Sequence, residues 1–137
     1  MMDYQLTVRR LLDRAVELFP HKEIVTRLDE GSYHRYTYAD AYDRICQLAH
    51  ALDDLGLEAG DRSAAVAVNH YRHYELYFAP ACSGRSNHMM NHRLPDEHFV
   101  HVLNEAGSKV LFVDPEFLDT VEPIADRLEH VEQYVVL

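Results

Sequence analysis

Two short, uninterrupted apolar runs constrain the fold of this 137-residue chain more than any other feature. Residues 64–68 read Ala-Ala-Val-Ala-Val, residues 110–113 read Val-Leu-Phe-Val, and a third run begins at Val135. Continuous runs of this length are typical of strands that are covered on both faces of a parallel sheet. Because parallel neighbours must be joined by a crossover, usually a helix, the sequence predicts an α/β fold.

Three segments with helical spacing alternate with these predicted strands. Gly107 is placed to end the second segment, and Asp114 and Pro115 offer a capping side chain and a first-turn proline to the third. Residues 85–90 are predicted as a loop or weak strand. The architecture expected is a largely parallel sheet flanked by helices, with right-handed crossovers. The helices are predicted over residues 71–82, 95–106 and 117–128.

The first 56 residues predict a smaller unit in front of this sheet. Thr7 is positioned to cap a helix, residues 29–32 (Asp-Glu-Gly-Ser) are a hairpin signal, and Thr37 followed by Asp40 resembles a capping box. Since no linker, repeat or low-complexity segment interrupts the sequence, residues 1–137 are predicted to form one domain. The elements expected are a helix over 8–19, a strand pair over 23–28 and 33–38, and a helix over 39–55 that stops at Gly56.

Composition narrows the functional classes. The formal charge is −10, and nucleic acid is not expected as a partner because phosphate contacts need clustered cations. Residues 1–4 do not resemble a signal peptide and the apolar stretches are far below membrane-spanning length, so a cytoplasmic protein without a membrane span is expected. Cys46 and Cys82 make neither a disulfide framework nor a metal knuckle.

Histidine is conspicuous, with ten copies. His88 and His92 are four residues apart, and His98 and His101 are three apart, which are spacings that suit metal ligands on a helix. No His-Glu-x-x-His pattern or cysteine partner accompanies them, and His88 and His92 flank a predicted loop. The favoured interpretation is polar surface or capping histidines, with a zinc site as the open alternative.

A second polar cluster follows the strand predicted at residues 64–68. Ligands of open α/β sheets bind beyond the carboxyl ends of strands, so His70 or His73 could act as an acid or base in a pocket there. The alternative, which we favour, is that Asn69 caps the next helix. In that case the aromatic residues Tyr74, Tyr77 and Phe78 pack against the sheet.

No catalytic, cofactor-binding or metal-binding residue is predicted with these patterns. The five glycines are too dispersed for a phosphate-binding loop, which needs closely spaced glycines. Ser83 is not embedded in a Gly-x-Ser-x-Gly elbow.

Four segments in fixed order carry a family resemblance. They are residues 56–62 (Gly-Leu-Glu-Ala-Gly-Asp-Arg), 69–78 (Asn-His-Tyr-Arg-His-Tyr-Glu-Leu-Tyr-Phe), 91–94 (Asn-His-Arg-Leu) and 109–114 (Lys-Val-Leu-Phe-Val-Asp). Together they resemble the opening region of the acyl-adenylate-forming, AMP-binding ligases. The resemblance covers essentially the whole chain and is closest to the medium- and long-chain fatty acyl-CoA synthetases.

This resemblance implies the first part of the large N-terminal domain of an ATP-dependent fatty acid–CoA ligase. It implies ATP, magnesium and coenzyme A as cofactors of the parent enzyme and a fatty acid as its substrate, whereas this chain itself is expected to hold no cofactor. The phosphate loop and the lysine of the small C-terminal domain lie later in such proteins. The chain is therefore expected to be inactive alone, with the remainder of the ligase or a second copy of itself as partner.

The sequence departs from the family pattern around the predicted weak strand. Ser63 stands where a Val-rich strand usually begins, and His92 replaces a common proline. Arg85 and Asn87 occupy positions that are normally small or apolar, and burying them unpaired would cost several kcal/mol, on the order of 2–7 for an amide. We therefore expect this strand to be exposed, or its polar residues to find partners across an interface.

Two other functions stay open. One is a stand-alone interaction module that dimerises through an open sheet edge, since an unpaired edge recruits strands. The other is a small histidine-rich metal-binding domain.

Overall fold

The computed structural model describes residues 3–28 and 31–137, and it contains the predicted parallel sheet and strand pair. The pair is antiparallel, whereas the four-stranded sheet is parallel throughout, with the order β4-β3-β5-β6. This confirms the predicted α/β fold. The strands are β1 (Glu23–Arg27), β2 (Tyr33–Thr37), β3 (Arg62–Val66), β4 (Ser86–Met89), β5 (Val110–Val113) and β6 (Gln133–Val136).

Helices cover both faces of the central strands. On one face Ala65 and Phe112 pack with Leu52 of α2 and Leu76 of α3. The other face belongs to a second apolar cluster that contains α4 and the segment after β5. Burial on both faces explains why β3 and β5 read as continuous apolar runs. The helices are α1 (Val8–Leu18), α2 (Tyr38–Asp54), α3 (Tyr71–Cys82), α4 (Asp96–Ala106) and α5 (Leu118–Val121). None of the helices in the described part of the chain is long and apolar enough to cross a membrane.

The predicted helix boundaries have mixed outcomes. The capping box exists, because the Thr37 amide donates to Asp40 Oδ2 at 2.8 Å and the Asp40 amide donates to Thr37 Oγ1 at 3.2 Å. Gly107 ends α4 in the left-handed region at φ +62°. Thr7 occupies the position before α1, but its side chain caps none of the described amides, so the predicted bond is wrong. Of the predicted hairpin turn, Asp29 and Glu30 lie outside the described residues.

The helix predicted over residues 117–128 is broken. A 3-10 turn (Pro115–Phe117) leads into the four-residue α5, and a second 3-10 turn (Glu122–Arg127) follows. Pro123 explains the break, because a proline removes an amide donor and its ring clashes with the preceding turn. The apolar residues are nevertheless buried as the spacing predicts, including Val121, Ile124 and Leu128.

Arg85, which precedes β4, and Asn87 of β4 find partners within the chain, so the expectation that they would be exposed or paired across an interface is wrong. The Arg85 side chain is only 6% exposed. Its Nε donates to the Leu57 carbonyl at 2.9 Å, and its guanidinium also contacts Asp53. Ser63 Oγ donates to Asn87 Oδ1 at 2.7 Å. The two unusual positions, Ser63 and Asn87, thus satisfy each other across neighbouring strands.

We expect Arg85→Met to lower the free energy of unfolding by about 2–3 kcal/mol, because hydrogen bonds from a buried charged donor are worth more than neutral ones and the Leu57 carbonyl would lose its partner. Urea denaturation measures this change. Arg93→Met is the matched control at an exposed position. Equal stability of the two variants would contradict a structural role for the Arg85 guanidinium.

Candidate functional site

The candidate site lies at the edge of the parallel sheet where the strands end, and its polar residues come from the segments that follow β3 and β5. Strands β3 and β5 are adjacent and parallel, with Val66 beside Val113. Asn69 and His70 follow β3, and Asp114 directly follows β5, so the two chain segments leave the sheet side by side. The crevice outside the carboxyl ends of strands is where open α/β sheets bind ligands.

His70 joins three elements at this edge. Its Nε2 lies 2.8 Å from Asp114 Oδ2, and its Nδ1 accepts a hydrogen bond of 3.1 Å from the His73 amide. Because Nδ1 accepts, the ring proton is on Nε2 and is donated to the carboxylate. Asp114 Oδ2 also accepts from the Val68 amide at 3.3 Å. Both nitrogens of His70 are therefore engaged within the chain.

The residue that caps α3 is His70, so the expectation that Asn69 is the cap is wrong. An imidazole is long enough to accept from an amide of the first turn of α3 while donating to a carboxylate on the neighbouring strand. Asp114, expected to cap the next helix, makes no side-chain cap bond to the described residues that follow it. Its carboxylate instead bonds backward, to His70 and Val68.

His73 is buried beside this pair. Its Nδ1 lies 3.1 Å from the Val68 carbonyl and its Nε2 lies 3.1 Å from Met89 Sδ. Burial is the main cause that lowers the pKa of His73, and His70 adds to it. The neutral ring thus donates through Nδ1 to the carbonyl. His70 and His73, the two predicted acid–base candidates, lie together, but their hydrogen bonds join the ends of β3 and β5 to α3. We call His70, His73 and Asp114 the clamp.

A cleft of about 310 Å³ opens next to the clamp. One wall comes from Val25–Arg27 of β1, and the other from residues around His70, including Tyr77. The expectation that Tyr74, Tyr77 and Phe78 pack against the sheet is wrong. Tyr77 is 51% exposed, and Tyr74 and Phe78 instead pack in the cluster formed with α1 and α2. Leu76 occupies the sheet-facing side of α3 in their place.

The other histidines do not form a common site. His88 lies within β4, and the His92 ring stacks on Phe117 at 4.9 Å between centroids. His98 and His101 are exposed on α4. Within residues 3–28 and 31–137, no three His, Cys, Asp or Glu side chains converge as metal ligands would.

A half-buried ion pair between α2 and α3 was not predicted from the sequence patterns. Arg44 Nε and Nη2 donate to the two carboxylate oxygens of Glu75 at 2.6 and 3.0 Å, and Glu75 is only 4% exposed. Nearby, burial is the main cause that raises the pKa of the Tyr36 hydroxyl, and Glu75 reinforces it. In the sequence, the burial of Glu75 is indicated by its position alone, since it directly precedes Leu76, which faces the sheet.

Comparison with known proteins identifies the class that this fold belongs to. The sequence matches the AMP-binding enzyme family over residues 12–137. The chain therefore belongs to this family.

Individual relatives agree with the family assignment. A long-chain-fatty-acid–CoA ligase from Thermus thermophilus is 43% identical over 137 residues, which are all of this chain and 25% of that protein. A medium-chain-fatty-acid–CoA ligase from Ectopseudomonas oleovorans is 33% identical over the same length, again 25% of its own. The N-terminal domain of FACL13 from Mycobacterium tuberculosis has the same fold, with a TM-score of 0.86, 22% identity, and coverage of 96% of this chain and 34% of that one. The chain thus spans about a quarter of the length of the curated relatives that it matches.

We expect Asp114→Ala to lower the free energy of unfolding by about 2–3 kcal/mol, because His70 Nε2 and the Val68 amide would both lose a charged acceptor. Chemical denaturation at pH 7 gives the value. Asp119→Ala removes an exposed carboxylate of α5 and is the control, for which little change is expected. If Asp114→Ala lowers the free energy of unfolding no more than Asp119→Ala does, the contacts of Asp114 do not stabilise the fold.

The stability should also depend on pH through His73. Because burial lowers its pKa below the ordinary value of 6.5, the unfolded chain binds more protons than the folded chain as the pH falls through that value. Stability contributed by the neutral ring is thus present above about pH 6.5 and is lost progressively below it. His73→Asn keeps a donor for the Val68 carbonyl but does not titrate, so it should flatten this part of the unfolding free energy measured against pH. His98→Asn, at an exposed position on α4, should leave the profile unchanged.

Proposed function

We propose that residues 1–137 form the first part of the large N-terminal domain of an ATP-dependent fatty acid–CoA ligase. The observation that carries this proposal is the 43% identity to the Thermus thermophilus ligase along the entire chain. A cytoplasmic location is part of the proposal. The partner proposed for this chain is the remainder of the ligase, which accounts for about three quarters of the relatives' length.

The reaction proposed for the parent has two steps. A carboxylate oxygen of the fatty acid attacks the α-phosphorus of ATP, the bond to the β-phosphate oxygen breaks, and pyrophosphate leaves. The thiol of coenzyme A then attacks the acyl carbon of the adenylate, loses its proton, and releases AMP. Magnesium in the parent would balance the phosphate charge.

The described residues do not fit ATP or magnesium, so we assign no step to them. The five glycines are too far apart in the sequence to form a phosphate-binding loop for ATP. In the described part of the chain, no three potential metal ligands converge. At the carboxyl edge, His70 lines the cleft, but both of its ring nitrogens are already engaged, by Asp114 and by the His73 amide. We therefore propose a scaffolding role, in which this chain holds the strand ends and supports sites built by other parts of the ligase.

A second candidate function is self-association as an interaction module. The exposed apolar side chains of α1 favour it, because contiguous apolar surface marks interaction sites. The metal-binding alternative has no comparable support among the residues that the structure describes.

The isolated 137-residue chain should show no ATP–pyrophosphate exchange with any fatty acid, because adenylation requires groups that it does not supply. The positive arm is a chimera in which this chain replaces the corresponding first quarter of the Thermus thermophilus ligase. We expect the chimera to regain exchange that depends on fatty acid. The rest of that ligase without a first quarter is the control.

The two arms test separate claims. Exchange by the isolated chain would refute the scaffolding role while leaving the ligase assignment intact. A folded chimera that adenylates no fatty acid would argue against the ligase assignment itself.

A further inference from the structure

The two cysteines of the chain line the same small cavity, although they lie on different helices. Cys46 belongs to α2, and Cys82 is the last residue of α3. Both are free thiols of intermediate exposure, and the chain has no further cysteine. The cavity measures about 160 Å³ and is also lined by residues of α1. We call it the thiol pocket and define it by Arg9, Asp13, Cys46, His50 and Cys82.

The thiol pocket is open to small molecules and leaves room for the sulfur atoms to move. The side chains of Arg9 and His50, which line it, are 65% and 84% exposed, so the pocket communicates with solvent. Well-packed interiors contain few voids of this size, and a void permits side-chain rotations that a filled core prevents. Cys82 also lies in the last turn of α3, where Pro80 has no amide to donate and the helix end is held less tightly.

The surroundings of Cys82 assign different roles to the two thiols. Burial is the main cause that raises the pKa of the Cys82 thiol; Arg9 opposes this shift, and Asp13 and Cys46 reinforce it. Cys46 is thus close enough for its charge to act on Cys82. Because the thiolate is the form that attacks an oxidant, a thiol with a raised pKa is a poor first nucleophile. The first attack therefore belongs to Cys46, and Cys82 is suited to a second step.

We propose that the thiol pocket is an oxidation site, at which hydrogen peroxide converts Cys46 and Cys82 into a disulfide within one chain. The Cys46 thiolate attacks one peroxide oxygen, the O–O bond breaks, and the other oxygen takes up a proton and leaves as water, which gives a sulfenic acid on Cys46. The Cys82 sulfur then attacks the Cys46 sulfur, so that an S–S bond forms and the S–O bond breaks. The departing oxygen leaves as a second water with the Cys82 proton. The two thiols lose two electrons and the peroxide gains them.

The disulfide links α2 to α3 and is reversible. It closes the chain between residues 46 and 82, a segment that includes β3, and a cross-link of this kind restricts the unfolded chain. Disulfides of reducing compartments are mostly transient and redox-sensing, and a pair that is accessible to solvent belongs to this labile class. The site lies on the helices, away from the carboxyl edge of the sheet, and the proposal does not depend on the ligase reaction.

The test is treatment of the folded 137-residue chain with hydrogen peroxide. We expect the number of titratable thiols to fall from two to none, the mass to fall by that of two hydrogen atoms, and the chain to stay monomeric on a non-reducing gel. Dithiothreitol should restore both thiols. The midpoint of urea denaturation should move to a higher urea concentration in the oxidised chain. The double variant Cys46→Ser with Cys82→Ser controls for methionine oxidation, and its midpoint should not rise on the same treatment.

The single variants test the order of the two steps. Cys82→Ser removes the second nucleophile, so a sulfenic acid should persist on Cys46 and react with dimedone at least about fivefold more than in Cys46→Ser. Circular dichroism checks that each variant is folded. Equal labelling of the two variants would overturn the assigned roles.

Three results on the unsubstituted chain would overturn the disulfide itself. They are thiols that survive an excess of peroxide, oxidation that yields a covalent dimer or consumes one thiol per chain, and a urea midpoint that falls when the disulfide forms. The last result would show that the fold must distort to bring the two sulfurs together.

Discussion

The His70 ring holds together the part of the fold on which the remaining elements depend. Strands β3 and β5 end side by side, and α3 must start from the same edge to cover the sheet. One imidazole meets both requirements, because it accepts from the first turn of α3 and donates to Asp114 at the end of β5. The same carboxylate then accepts from the amide of Val68. The crossover and the two strand ends are thus fixed by a few mutually satisfied groups.

Buried charge is the second constraint, and arginine suits it better than lysine. A planar guanidinium presents several donors in fixed directions, so Arg44 contacts both oxygens of Glu75, and Arg85 contacts a carbonyl and a carboxylate together. Lysine concentrates its charge on one flexible ammonium group and could not make these paired contacts. Arg85 and Asn87, which look misplaced in the sequence, are therefore compatible with burial, because the Arg85 guanidinium donates and the Asn87 Oδ1 accepts inside the chain.

Periodicity predicted the strands, most helices and the buried side chains, since these follow from which residues must leave water. It failed where a single residue overrides the pattern, as Pro123 does in the helix expected over residues 117–128. It failed also where the partner is distant in sequence. Asn69 was a reasonable cap from its residue type, but the identity of the cap depends on Asp114, which lies 44 residues beyond His70. That juxtaposition follows only from the strand order β3-β5.

Two regions of the chain differ in whether their side chains have partners within the chain. This difference distinguishes a region that supports the fold from a surface that is open to a partner. At the carboxyl edge, where a ligand would be expected, the histidines and the aspartate bond to one another and leave no free donor set among them. On α1, where no ligand pocket is expected, the apolar side chains of Leu11 and Leu18 face solvent. A chain that supports chemistry supplied by other residues should look like the first region. A chain that associates through its surface should look like the second, and both features are compatible in one molecule because they lie on different elements.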